Sequence, residues 1–169
     1  MHARISEFVD HVARRGSWFG GGSVAALSGA LSAALLEKLL HEPPAIRRLR
    51  AIRRECLALI ERDAETFARV IGATRTKRRG AFARALKRAI DVPCRVFEDA
   101  QTVQALCREA QRAVKPRFQS DLRCAMAVAL AASESARTLI HTNLEWLNDP
   151  RYTTQIRRRL QAAGKTHGR

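Results

Sequence analysis

Along the chain, hydrophobic positions recur every three to four residues, and no stretch alternates apolar and polar residues as a half-buried strand would. The pattern predicts helices throughout. Ile5, Phe8, Val9, Val12 and Ala13 mark a short first helix ending near Gly16. A second is expected over about 23–40, with Ser23 as its N-cap. Its small residues fall in two stripes, Gly22, Ala26, Ala30, Ala34 and Ala25, Gly29, Ala33, which let neighbouring helices approach closely. Pro43 and Pro44 open a third helix, about 45–73, because proline suits a first helical turn. A basic hinge at 74–80 leads into a fourth, about 81–114, with a kink expected at Pro93. An alanine-rich helix at 120–147 and a short amphipathic one at 154–162 complete the series. Long helices with short connections predict an all-α, up-and-down bundle of about five main helices. No repeat or linker divides it, so 1–163 is expected to form one bundle domain, with a basic, frayed tail at 164–169.

Several polar groups break the apolar faces. Leu49, Ile52, Cys56, Leu59, Ile60, Phe67, Val70 and Ile71 form one face of the third helix, and Asp63 falls in its middle. Glu61 and Glu65 lie on the opposite, solvated side. A carboxylate in an apolar stripe must be paired, hydrogen-bonded or protonated, since an isolated buried charge is too costly. A structural ion pair with an arginine and a functional acid satisfy this equally well. On the last long helix, Asn143 shares the face of Leu122, Ala125, Ala129, Ala132, Ala136, Ile140 and Leu144. An amide there either satisfies a neighbouring helix or reads a ligand's donor–acceptor edge. Ser120 and Asp121 open that helix, where an N-cap and an acid in the first turn would be explanation enough. Near the N-terminus, "WFGGGSVAAL" sends Gly20, Gly21 and Gly22 straight into a helix. Bare backbone at a helix start permits close approach and offers free N–H groups to an anionic or acceptor-rich partner.

Composition narrows the function classes. At 169 residues the chain suits one domain with a real core. A net charge of +15, with arginine clusters at 47–50, 75–79 and 157–159, favours polyanionic partners or a solvated arginine surface. Aromatics are only 5%, too few for base-stacking platforms, and no nucleic-acid recognition motif is present, so nucleic acid is the weaker candidate partner. Cys56, Cys94, Cys107 and Cys124 form no ligand spacing and are expected to be reduced core residues, with no metal site. No P-loop, HExxH or GxSxG signature occurs. The longest apolar run, 24–36, is short of the ~20 residues a bilayer crossing needs. Glu7 and Asp10 precede any apolar run, unlike a signal peptide, so a cytoplasmic protein without membrane association is expected.

The segments "GGGSVAALSGALSAALLEKL", "IERDAETFARV", "AIDVPCRVFEDA" and "SDLRCAMAVALAASESARTLIHTNLEWLND", in that order, resemble the cyclodeaminase/cyclohydrolase family of folate enzymes over nearly the whole chain. The resemblance implies a helical-bundle homodimer that binds a tetrahydrofolate derivative, polyglutamylated forms included. It implies ammonia loss from formiminotetrahydrofolate or hydrolysis of methenyltetrahydrofolate. Carried over by position, Asp121 would be the leading catalytic carboxylate and Asp63 an internal acid. Gly20, Gly21, Gly22, Ser23, Ser120 and Asn143 would contact the folate. Phe19 stands where the family has proline, and the segments at 41–44, 71–80 and 115–119 are rewritten, with Lys77 the expected substitute for a family lysine. A non-catalytic member binding an anionic ligand or RNA through its arginines is the second reading.

Overall fold

The computed structural model describes residues 2–75 and 79–165. Lys77 therefore lies outside the described residues. Six α-helices follow one another: α1 (His2–Ala13), α2 (Gly21–Glu37), α3 (Pro43–Arg75), α4 (Arg79–Ala110), α5 (Gln119–Leu147) and α6 (Pro150–Lys165). A 3-10 turn, Pro116–Phe118, precedes α5. No described residue is in a strand. No helix is long and apolar enough to cross a membrane.

The four central helices form the expected bundle, each antiparallel to its neighbours. Gly22 meets Asp63 and Gly29 meets Cys56, which sets α2 against α3 in opposite directions. Gly21 lies against Leu139 while Lys38 reaches Asp121, so α5 also runs opposite to α2. On α4, Gln104 donates through Nε2 to Ser133 Oγ (2.9 Å) and to the Ala129 carbonyl (3.3 Å) of α5. Arg159 of α6 bonds Glu98 and Asp91, fixing the last helix on α4.

Two apolar clusters fill the interior. One end holds Leu36, Leu49, Cys56, Val103 and Leu122; the other holds Leu59, Val70, Leu86, Ile90, Val96 and Ile140. The small-residue stripes of α2 act as expected: Ala25, Ala26, Gly29, Ala30 and Ala33 are all buried, so backbones rather than long side chains meet there. A Cβ on Gly29 would stand 3.0 Å from Cys56 Sγ, which shows how tightly α2 and α3 are apposed.

Several boundaries and burials depart from the sequence expectation. The sixth helix starts at Pro150 rather than 154, because "NDP" is a complete stop–start signal. Asn148 ends α5 in the left-handed region (φ 50°), and Asp149 Oδ1 accepts the Tyr152 N–H at 3.1 Å ahead of a proline first turn. That helix continues to Lys165 and so includes the first residues of the expected tail. At the other turn α4 stops at Ala110, and Gln119 Nε2 donates to the carbonyls of Gln111 and Val114. The α4 helix runs on through buried Pro93 without a break. Cys124, expected in the core, is exposed, whereas Cys56, Cys94 and Cys107 are buried free thiols.

Because Ala26 is fully buried between helices, Ala26→Leu forces extra carbons into filled space. It should cost about 1–3 kcal/mol, read as a lower urea midpoint at unchanged slope.

Candidate functional site

The site is created by a length mismatch. α3, α4 and α5 extend beyond the point where α2 begins at Gly21, leaving one corner of the bundle without helix. The vacated space is a cavity of about 200 Å³, bounded by Gly20 to Gly22, by Asp63 and Phe67 of α3, by Ala89 and Pro93 of α4, and by Leu139 and Asn143 of α5. The connection from α1 closes it. Trp18 stacks edge-on against Phe67 with centroids 6.3 Å apart, and Ser17 Oγ accepts the Phe19 N–H at 3.2 Å. Phe19 itself turns away to pack on Phe8 and His11 of α1.

Asp63 and the start of α2 are one unit. Gly20 is the N-cap residue and has no side chain to do the capping, contrary to the expectation that Ser23 is the cap. Ser23 is instead fully buried inside the first turn. Its backbone N–H and its hydroxyl both donate to the Asp63 carboxylate, the hydroxyl at 3.1 Å from Oδ2. Asp63 thus supplies from α3 the acceptor that an N-cap side chain supplies locally. Its approach needs Gly22: a Cβ there would overlap the carboxylate.

Burial pushes the Asp63 carboxyl above the ordinary aspartate value, and the two bonds from Ser23 oppose that rise. Ser23 Oγ also lies 3.0 Å from the Ile60 carbonyl. One hydroxyl proton serves one acceptor at a time. With Asp63 ionised, Ser23 donates to it. With Asp63 protonated, the acid donates to Ser23 Oγ, which turns its own proton to Ile60. Both states are therefore satisfied, and the acid can take up or release a proton without leaving a buried group unpaired. Among the described residues no arginine pairs with Asp63, so the ion pair considered from sequence is not formed. On the opposite wall the half-buried side-chain amide of Asn143 has no partner among the described residues and remains free for a ligand.

The other expected site residues divide sharply. Gly20, Gly21, Gly22, Ser23, Asp63 and Asn143 come together. Asp121 and Ser120 do not join them within the chain. Asp121 is ion-paired with Lys38 at 3.1 Å, at the far end of α2, a helix of 17 residues and so roughly 25 Å long. Ser120 is exposed beside it. Six cavity residues do not stand out from sequence as site residues: Ser17, Trp18, Phe67, Ala89, Pro93 and Leu139. Periodicity puts Phe67 on the buried face, yet it is 41% exposed. The signal for it lies in the lone aromatics flanking the glycines and following the acid. Two larger grooves lie elsewhere, one between α5 and α6 and one along α3, α4 and α6. No group of three or more His, Cys, Asp or Glu among the described residues is placed to hold a metal ion.

Comparisons with known proteins agree on the scaffold. The model of the family described as formiminotransferase-cyclodeaminase matches residues 4–42 and 43–162. No curated protein matches the sequence. Among solved structures the chain is similar to the formiminotetrahydrofolate cyclodeaminase of Thermotoga maritima. The TM-score is 0.87 at 22% identity, over 94% of this chain and 86% of that one.

Two outcomes follow from the Asp63 unit. Gly22→Ala should cost roughly 1–3 kcal/mol in urea unfolding, and adding Asp63→Ala should recover part of that loss, giving a measurable coupling energy. The raised pKa means that the folded chain holds the Asp63 proton more tightly than the unfolded chain. Its contribution to stability is present below the ordinary aspartate pKa of ~3.9 and is lost as pH rises through the raised value. Relative to Asp63→Asn, the wild type should therefore lose stability across that window. A pH-independent difference would mean that the carboxyl is solvated like a surface acid.

Proposed function

The chain belongs to the formiminotransferase-cyclodeaminase family, and from that premise we propose that it is an enzyme acting on the one-carbon unit of a tetrahydrofolate derivative. The observation that carries the reading is Asp63, a carboxyl that can exchange its proton while facing a cavity across from the free amide of Asn143. A cavity of about 200 Å³ is below the size of a whole-ligand site, so it suits one ring system, with the rest of the ligand outside.

The chemistry fits a carboxyl of this kind. Methenyltetrahydrofolate carries a cation delocalised over two nitrogens, which an ionised Asp63 stabilises. In ring closure, a folate secondary amine attacks the formimino carbon and its own proton passes to the imino nitrogen; protonated Asp63 supplies the second proton, and the C–N bond breaks to release ammonia and the methenyl cation. In hydrolysis, ionised Asp63 takes a proton from water as the oxygen adds to the methenyl carbon, then returns it to the departing ring nitrogen as that C–N bond opens and the adduct's hydroxyl loses its proton to solvent, giving the formyl product. The similarity to the Thermotoga maritima formiminotetrahydrofolate cyclodeaminase favours ammonia elimination as the primary direction. The unpaired Asn143 amide presents a donor and an acceptor suited to a pterin edge.

The expected roles of Asp121 and of a dimer are proposed together. The seventeen residues of α2 carry one charged side chain, Glu37, and Val24 and Leu31 are exposed on its outer side with Leu130 of α5 also exposed. A helix apolar on every side calls for cover on every side. A two-fold pairing of this face with a second copy, the α2 helices antiparallel, would bring the partner's Asp121 toward the glycine turn, since opposite ends of α2 then meet. Residues 1–163 would be the repeating unit, and the cytoplasm is the proposed location.

Turnover is read from the methenyl chromophore. Asp63→Asn should lower kcat by about 100-fold or more, the usual worth of a general acid or base, with the fold unchanged by circular dichroism. If Asp121 is shared, Asp121→Asn is also inactive. Refolding the two variants together should then restore about a quarter of wild-type turnover, as half of the dimers are hybrids with one intact site. Full activity in Asp63→Asn would overturn the assignment of the acid. Full activity in Asp121→Asn would remove the shared site.

A further inference from the structure

On the other side of the α3–α4 pair from the cavity lies a trough that the folate reading does not use. Its wide part, about 740 Å³, runs between α3, α4 and α6 over a floor of Leu59, Val92 and the Tyr152 ring. Its narrow part, about 200 Å³, continues along α3 and α4 over Ala81, Ala85 and Thr66. The two share Thr66, Arg69 and Arg88, so they are one continuous depression.

Seven arginine and lysine side chains line it, against two carboxylates. Five of the seven bases are ion-paired: Arg69 with Glu65 at 3.7 Å, Arg62 and Arg95 with Glu55, Lys87 with Asp149, and Arg159 with Asp91 and Glu98. At the narrow end Arg69, Arg84 and Arg88 converge on a hollow walled by alanines. Arg84 and Arg88 have no acidic partner among the described residues. Two cations without counter-ions on one small hollow make it attractive to an anion. The alanines matter as much as the arginines, because longer side chains at 81 and 85 would fill the hollow. Arg75 at the end of α3 and Arg79 at the start of α4 add to the same field.

We propose that this trough is a second ligand site, specific for the phosphate chain of a small polyphosphate-bearing molecule, with one phosphate seated among Arg69, Arg84 and Arg88. A carboxylate offers two oxygens and is met by a single guanidinium fork, whereas a tetrahedral phosphate can accept from several forks at once. The wide part then takes the following phosphates beside Arg62 and Arg95, whose long contacts to Glu55 (3.8 and 4.0 Å) the phosphates would replace. Among the described lining residues Tyr152 is the one aromatic ring, and Lys87 Nζ lies over it at 4.6 Å from its centroid, so the trough offers no row of aromatic faces on which the bases of a nucleic-acid strand would stack. The site is independent of the folate proposal, since none of its residues lines the cavity.

Calorimetric titration of the full chain with tripolyphosphate, and separately with ATP, tests it. Saturable one-to-one binding is expected. Arg84→Ala/Arg88→Ala should weaken it by roughly tenfold or more, as two charge-assisted bonds are lost. Arg14→Ala/Arg15→Ala removes the same charge from an exposed turn far along the chain and should leave binding unchanged. Tighter binding of ATP than of tripolyphosphate would identify a nucleotide as the source of the phosphates, and equal binding a free polyphosphate. Folate turnover by the Arg84/Arg88 variant should match the wild type, so failure here is separable from failure of the folate reading. Equal weakening by both double variants, binding of pentaglutamate as tight as that of tripolyphosphate, or displacement of tripolyphosphate by a single-stranded oligonucleotide at equal phosphate concentration would each overturn the proposal.

Discussion

The contact between the Asp63 carboxylate and the first turn of α2 is the constraint on which the site depends. The N-terminus of a helix leaves backbone N–H groups without partners, and here the residue in the capping position is glycine. The acceptor arrives from another helix, 40 residues further along the chain. That arrangement does three things at once. It satisfies the start of α2, it fixes the register of α2 against α3, and it holds a carboxyl at the edge of a cavity. A serine or aspartate at position 20 could have capped the helix locally, but α2 would then need nothing from α3 at this point.

The position of α2 in the bundle explains why there is a cavity at all. Its neighbours are nearly twice its length, and the shortfall lies at its N-terminal end. The interior of a four-helix bundle is normally filled by side chains from every corner. With one corner vacant, Asp63, Leu139, Asn143 and Pro93 face space instead of a fourth helix, and the aromatic pair of Trp18 and Phe67 closes the outside. The alanine and glycine stripes of α2 serve the same end by allowing three long helices to approach a short one without clash.

Much of this is legible in the sequence, and the failures are instructive. Helical periodicity marks every element, and the wheel singles out Asp63 because a carboxylate among Ile60, Leu59 and Val70 is an anomaly that local chemistry does not explain. Asn143 is visible for the same reason. Ser23 reads as a cap because its preference for helix starts is a local rule, whereas its hydroxyl is engaged by α3. Periodicity alone sends Phe67 to the core, although the face bends toward a gap where burial is incomplete. Asp121 shows the limit of reading by position: a carboxylate at a helix start and a glycine turn at another helix start look alike in sequence, yet they stand at opposite ends of the bundle. The trough is invisible too, since arginines from α3, α4 and α6 converge only after folding. In sequence their charge is indistinguishable from a solvated surface.

The absence of a Cβ at Gly22 has a consequence for how this chain can change over generations. Any side chain at 22 crowds the acid, so substitution at 22 is costly while aspartate stands at 63. Should the acid be lost first, the glycine is released from its constraint, and the first residue to fill the space would bar the acid from returning. The pair is therefore a one-way latch: relatives that have lost the carboxyl are free to drift at the glycine, and those that have drifted there cannot readily regain it.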